Sequence, residues 1–526
     1  MSAPGAGAKV VPTPPIELQP SPAGVTARLP ARPVPVPDEV VERLRSVCSS
    51  VSVDPAERAE AGRDWWPVAL TWALAGSAPA LPAVVARPAS AVEVAAVLAV
   101  CNQARVPVTA AAGRSGVCGG AVPVFGGVSL DLCGLSGVVA LDSPSLVVDV
   151  LAGTFGVPLE ESLRAEGLTL GHWPQSIELS TVGGWLACRS AGQYSTRYGK
   201  IEDMVVGLEV ALADGRLVHL GGAAPRAAVG PDLVQMFVGS EGTLGVITSA
   251  RLRVRPAPEV ERRAAYGFAS FEEGLDACRR VLRRGATPAV LRLYDAVESA
   301  RSFGTSAANV MIVLDEGEGV IVEASMAVVH EECEGAEVLD DALVGRWLAH
   351  RNDVAALASL YRSGIVVDTC EVAAAWSALP GLYAAGIAAL RSVPGTMVAS
   401  AHQSHAYPDG ACLYFTFAGR PADGAADSAA ESAAGADPGD AFAWSDRYYV
   451  AAWSAVTDAV LAAGGALSHH HGVGLNRARF MARALGPGLD LLAAVKAALD
   501  PNGILNPGKL GLPSPFGPVG WPPPDA

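Results

Sequence analysis

The chain has no CxxC pair, no apolar run long enough to cross a bilayer, and no excess of basic charge. Each absence removes a class of protein. Its nine cysteines are odd in number and irregular in spacing, so they make neither a disulfide framework nor a zinc ribbon, and reduced thiols in a cytoplasmic protein are expected. Acidic residues outnumber basic ones 53 to 38, and the net charge of −15 with a pI near 5.1 excludes a nonspecific grip on nucleic acid or on an anionic membrane. The first residues, MSAPGAGAKVVPTPPIELQP, lack the charged-then-apolar order of a signal peptide, and no transmembrane segment is expected. The glycine-rich stretches match neither GxGxxG nor the Walker pattern, so neither a Rossmann dinucleotide site nor a P-loop is supported.

What is present is a chain of 526 residues, half of them hydrophobic, enough for two or three domains with sizeable cores. Residues 1–37 and 512–526 are Pro-rich and read as disordered tails, and the small, acidic stretch 421–440 reads as a disordered insertion. Residues 38–80 form an N-terminal helical segment ending in RDWWP, whose paired tryptophans call for packing between elements. Short Val- and Leu-rich runs alternate with a helical pattern from 81 to 258, an α/β or α+β domain. Residues 259–465 make a second domain, and 466–511 a C-terminal segment with a helix around LDLLAAVKAALD.

Chemistry concentrates in a few places. His469, His470 and His471 stand together in ALSHHHGVG, a pattern compatible with a surface turn, a zinc site or an acid-base group. Three glycine and hydroxyl clusters, TAAAGRSGVCGGAVP, PQSIELSTVGGW and VGSEGTLGVIT, suit either ordinary turns or one extended polar ligand threaded close to backbone. In ACLYFTF, Leu413, Phe415 and Phe417 alternate with Cys412, Tyr414 and Thr416, so Tyr414 lies on the polar face of a strand. From pattern alone it is equally an ordinary buried tyrosine.

The order and wording of PQSIELSTVGGW, RYGKIEDMVV, GPDLVQMFVGSEGTLGVIT, RLYD, YPDGACLYFTF and ALSHHHGVG resemble the alkyldihydroxyacetonephosphate synthase (alkylglycerone-phosphate synthase) family, over about residues 81–511. That family lies within the vanillyl-alcohol oxidase and p-cresol methylhydroxylase superfamily. The resemblance implies an α+β protein: a two-part PCMH-type FAD-binding domain over 81–258, an α+β cap, and noncovalent FAD between them. FAD contacts would come from Ala110, Ala111, Ala112, Gly113, Arg114, Ser115 and Gly116. Further contacts would come from Pro174, Gln175, Ser176, Ile177, Glu178, Leu179 and Ser180, from Cys188, Arg189, Ser190 and Ala191, and from Glu241, Gly242, Thr243, Leu244, Gly245, Val246 and Ile247. Arg114 interrupts the family's run of three glycines, and its guanidinium is expected either at the diphosphate or in solvent.

By the same resemblance Tyr414 and His469–His471 are catalytic, and His172 lines the substrate side. The implied reaction exchanges the acyl group of acyl-dihydroxyacetone phosphate for a fatty alcohol in ether lipid synthesis. The alternative is FAD-linked oxidation of a 2-hydroxy acid or related alcohol. The substrate is accordingly lipid-like or a hydroxy acid, no metal is expected, and a homodimer is compatible. One departure bears on the choice: Leu357 stands where the family has a substrate-contacting arginine, with Arg351 and Arg362 the nearest replacements.

Overall fold

A helix, Ala91–Ala104, starts where the Ser90 side chain accepts the Glu93 N–H, and it buries Val94, Val97, Leu98 and Cys101 along one stripe. It joins strands Val84–Arg87 and Val108–Ala111, which both pair in parallel with Val128–Asp131, while Ser50–Ser52 closes the far edge antiparallel. The computed structural model describes residues 14, 16–18, 24–222, 224–305, 309–353, 357–421 and 443–523. A second, antiparallel sheet follows in the order Leu217–Gly221, Val205–Ala211, Val246–Arg253, Val147–Leu151, Val138–Asp142. The open edge of the first sheet is covered by the far end of the chain. Val108 N–H donates to the Ile504 carbonyl and Asn506 N–H to that of Val108. The Asn506 amide then reaches the carbonyls of Gly120 and Glu241, tying three distant segments together.

The second half of the chain builds a seven-stranded sheet in the order Glu337–Leu339, Val260–Phe268, Asn309–Gly317, Val290–Tyr294, Thr396–Tyr407, Gly410–Gly419, Val366–Ala375. Period-two alternation gives it two faces. Leu413, Phe415 and Phe417 are fully buried against helices Leu379–Ser392 and Ala443–Ala462. The opposite face carries a cross-strand row in direct register: Tyr294 opposite His402, His402 opposite Tyr414, Tyr414 opposite Glu371. A bulge between Gln403 and His405 shifts the register so that His405 faces Cys412, which puts both His402 and His405 on the Tyr414 side although they are three residues apart.

The two Pro-rich ends are packed where they are described, contrary to the expectation of disordered tails. Thr26–Ala27 pairs in parallel with Ser77–Ala78, Arg28 binds Asp446 at 2.7 Å, and Val34 bridges Gly126. At the other end Trp521 packs edge-on against Trp66 and Trp72, with ring centroids 5.0 and 5.5 Å away, and Phe516 packs on Phe125. Trp66 is thereby buried, as RDWWP suggests, with its indole N–H on the Tyr449 hydroxyl. Removing residues 512–526 should cost on the order of 3 kcal/mol, the range of losing one large aromatic from a core. Equilibrium urea unfolding checks this, and an unchanged midpoint would refute it. Residues 422–440 of the expected insertion lie outside the described residues. Among the described residues no helix is long and apolar enough to cross a membrane.

Candidate active site

The histidine loop hangs from two buried carboxylates, one from each half of the molecule. Glu371, on strand Val366–Ala375, accepts the backbone N–H groups of His469, His470 and His471 at 2.5, 3.2 and 2.9 Å and the Ser468 hydroxyl at 2.7 Å. Arg477, itself fully buried, closes the same carboxylate at 2.9 Å and lies over Trp453. Glu241, from the FAD-type loop, accepts the N–H groups of Val473 and Gly474 at 2.5 and 2.8 Å. The intervening glycines are required by space. A Cβ on Gly472 would stand 2.6 Å from the Glu241 carboxylate, and one on Gly474 would stand 2.1 Å from the Cys118 carbonyl, both at positive φ.

This suspension presents the imidazoles to Tyr414. Its hydroxyl lies 2.6 Å from His470 Nε2 and 2.9 Å from His471 Nε2, while His469 and His470 share a 2.9 Å contact between their Nδ1 atoms. The phenol has one proton, so it donates to one imidazole and accepts from the other, and the two arrangements interconvert by proton shifts along the row. Burial lowers the pKa of all three histidines, to about 3 at His469 and about 4 at His471, and it raises that of Tyr414. Burial also works to raise the Glu371 carboxyl, but Arg477, the neighbouring histidines and the backbone donors overcome it and hold the group at about 2. The resting site is therefore a neutral phenol between neutral imidazoles, above a fixed negative charge.

Several participants escaped the sequence reading. His402 stacks flat on the Tyr414 ring, with centroids 5.0 Å apart and planes 7° apart, and its Nδ1 lies 2.7 Å from buried Glu298. Burial lowers the His402 pKa against the pull of the Glu298 carboxylate. His405 packs on His469 and His470, and its Nδ1 is 2.7 Å from the Ser195 hydroxyl. Lys200 donates to the His469 carbonyl. Only the HQSH text carried any signal of the two extra histidines. Glu371, Cys412, His469 and His470 bring ligand-type atoms within 4.8 Å of one another. Both Glu371 oxygens are taken by backbone N–H groups, Ser468 and Arg477, and His469 and His470 meet through Nδ1.

The four expected cofactor segments converge beside this cluster. Gly113 lies so close to 174–180 that a Cβ would meet the Leu179 carbonyl at 2.0 Å, and Glu241 N–H donates to Ala187 at the edge of 188–191. Among the described residues, none of the amides of Gly113, Arg114, Ser115 and Gly116 donates to a protein acceptor. A Cβ on Gly242 would find nothing nearer than Ala110 Cβ at 3.8 Å, so the backbone there stands open. Free amides beside open glycines fit a diphosphate.

Individual side chains fall differently. Arg114 is buried and turned toward Asp131 at 3.6 Å, not out to solvent. Gln175 and Glu178 are exposed, Ile177, Leu244, Val246 and Ile247 are core residues, and the Glu241 carboxylate serves the histidine loop. His172 is fully buried under Ser190, at 3.2 Å, and packs on Trp185. Leu357 opens helix Leu357–Arg362 and packs into the apolar cluster of Ile16, Leu70 and Tyr361, while Arg362 is exposed.

Known proteins are similar to this chain in sequence and fold. Residues 82–221 match the FAD binding domain family, and residues 257–510 match the family of FAD linked oxidases, C-terminal domain. An uncharacterized FAD-linked oxidoreductase of Escherichia coli (strain K12) is 30% identical over 449 residues, 82% of this chain and 89% of that protein. The chain belongs to the FAD-linked oxidase family. FAD is the cofactor of this protein, which is an enzyme. An alkyldihydroxyacetonephosphate synthase of Dictyostelium discoideum is 29% identical over 469 residues, 82% of this chain and 73% of the other. A glycolate oxidase subunit of Bacillus subtilis (strain 168) is 28% identical over 446 residues, 82% and 89% of the two chains. Substrate-bound p-cresol methylhydroxylase superposes with a TM-score of 0.72 at 17% identity, covering 92% of this chain and 99% of that one. The fold is thus a PCMH-type FAD-binding domain with an α+β cap.

Proposed function

We propose that this enzyme dehydrogenates the hydroxyl-bearing carbon of a small anionic alcohol such as a 2-hydroxy acid. The observation that carries the reading is the Tyr414 hydroxyl held between two neutral imidazoles. The segments Ala110–Gly116, Pro174–Ser180, Cys188–Ala191 and Glu241–Ile247 would hold FAD noncovalently, mainly through backbone. Bound FAD supplies the two-electron acceptor that takes the carbon-bound hydrogen as hydride.

The chain's own residues handle the remaining proton. Tyr414 oxygen accepts the substrate hydroxyl proton as its own proton passes to His470 or His471, and a carbonyl product is left. The imidazolium so formed is stabilised by Glu371, whose oxygens lie 3.9 Å from His470 Nδ1 and 3.7 Å from His471 Nδ1. Glu298 and His402 keep the other face of the Tyr414 ring fixed and dry.

Alkyl exchange on acyl-dihydroxyacetone phosphate is the second reading, favoured by Tyr414 and the intact ALSHHHGVG text. The packing of Leu357 into an apolar cluster counts against it, because that position then offers no cation to a phosphate. The separating experiment runs both assays on one preparation. Anaerobic bleaching of the flavin by 2-hydroxy acids supports oxidation, and ether formation from acylated ketone phosphate and fatty alcohol without bleaching overturns it.

The low histidine pKa values set a pH profile. His471 loses its acceptor role only when protonated near pH 4, so the rate of flavin reduction should stay level from about pH 8 to about 5 and fall below that. Rapid mixing across this range checks it, and a fall centred near 6.5 would contradict it. Stability moves the same way. A histidine depressed in the fold binds fewer protons than its unfolded counterpart between about pH 4 and 6.5, so stability is lost as pH falls through that window.

A further inference from the structure

At the end of the Tyr294–His402–Tyr414–Glu371 row nearest Tyr294, two guanidiniums lie against one indole. Arg292 Cζ is 5.3 Å and Arg351 Cζ is 5.5 Å from the Trp347 ring centroid. Arg292 is buried, donates its Nε–H to the Tyr294 hydroxyl at 3.0 Å and also stacks over that ring. Arg351 is caged on two further sides, 5.1 Å from Tyr194 and 5.9 Å from Trp173. Among the described residues neither arginine forms an ion pair with a carboxylate.

Around this cage the polar atoms are short of partners. Arg351 Nη1, Trp173 Nε1 and Gln193 Oε1 are buried and unbonded, although Gln193 Nε2 reaches the Arg351 carbonyl at 3.5 Å. A buried N–H without an acceptor costs about 1–3 kcal/mol, and a buried cation without an anion costs more, so such a cluster makes physical sense as one half of a contact. Its unpaired donors are a guanidinium and an indole N–H, and its aromatic walls hold the guanidinium plane in place. The cage also adjoins the chemistry. Gln193 and Tyr194 immediately precede Ser195, whose hydroxyl is bonded to His405, and Arg292 connects through Tyr294 and His402 to Tyr414.

We infer that Arg351 and Arg292, with the Trp173 indole N–H, seat an oxyanion, a carboxylate or phosphate monoester, carried by the end of the substrate remote from the reacting carbon. The placement of that carbon at Tyr414 rests on the oxidation reading. The anion seat itself rests on the unpaired donors. It supplies, from a different helix end, a cation that Leu357 cannot.

The test uses the FAD-loaded full chain and two probes that cannot be oxidised, glutarate and inorganic phosphate, titrated while the flavin absorbance and the heat of binding are followed. The native protein should bind at least one of them, and which one binds identifies carboxylate or phosphate as the natural group. Arg351→Met should weaken that binding about 10- to 100-fold, as expected for the loss of a charged hydrogen bond, with Arg351→Lys intermediate. Both variants should keep native FAD content and thermal unfolding, and with any oxidisable substrate they should raise KM far more than they lower kcat. Equal affinity in native protein and Arg351→Met, or no binding of either probe by the native protein, overturns the inference. Arg292→Met provides a second variant should Arg351→Met fail to fold, and it too must weaken binding. If the anion binds through Arg351 but no hydroxy acid bleaches the flavin, the oxidation reading falls and the anion seat stands.

Discussion

Replacing Tyr414 by phenylalanine is expected to slow flavin reduction by about 10²- to 10⁴-fold, the range for loss of a positioned acid-base group. The ring still fits between His402 and the histidine loop, so fold and FAD content should be unchanged. What disappears is the oxygen that lies 2.6 and 2.9 Å from the two Nε2 atoms. His470 and His471 then have no route to the substrate hydroxyl. Rapid mixing with an oxidisable substrate, alongside thermal unfolding, separates the two effects. An unchanged rate would remove Tyr414 from the mechanism.

Glu371→Gln should be the most damaging single change to the site's architecture. The carboxylate takes three consecutive backbone N–H groups, the Ser468 hydroxyl and Arg477, all inside the protein. An amide offers one oxygen, turns a pair of donors toward other donors, and leaves Arg477 buried without its counter-charge. Breaking a buried ion pair in this way costs about 3–5 kcal/mol. The variant should therefore unfold at markedly lower denaturant and turn over as poorly as Tyr414→Phe. Adding Arg477→Met removes the stranded charge and should restore much of the stability but not the activity, because the imidazoles still lack the anion beneath them. Recovery of both together would show that Glu371 acts only by holding the fold.

The parts of this site that were legible in the sequence are those set by local pattern. Alternation in ACLYFTF is enough to put Tyr414 on the polar face opposite Leu413, Phe415 and Phe417, and the run of three histidines marks itself. Glu371, by contrast, is one of two acidic residues in a largely apolar strand, set between Cys370 and Val372. Its importance lies in five donors that arrive from a segment about 100 positions further on, and no local pattern records that. His402 and His405 were unread for a geometric reason: at a spacing of three they should fall on opposite faces, and only the bulge at Ser404 brings them together.

Glu241 shows a different mismatch. Its place in a glycine-rich loop pointed to a cofactor contact, whereas its side chain turns away to hold Val473 and Gly474. The Pro-rich ends misled through composition. Trp521 and Phe516 are two anchoring aromatics in a stretch otherwise suited to disorder, and they are enough to fix it against Trp66, Trp72 and Phe125. The domain-scale reading depended less on such details, because FAD-type loops and alternating strands repeat their signals over many residues.

The account's central claim concerns the fate of one hydrogen. A 2-hydroxy acid deuterated at the carbon bearing the hydroxyl, mixed anaerobically with the FAD-loaded protein, should bleach the flavin, do so more slowly than the protiated acid, and yield a 2-oxo acid. No deuterium should appear in solvent before the flavin is reduced. Deuterium lost to solvent while the flavin stays oxidised, or an unbleached flavin with every hydroxy acid together with ether formation from an acylated ketone phosphate, would contradict it.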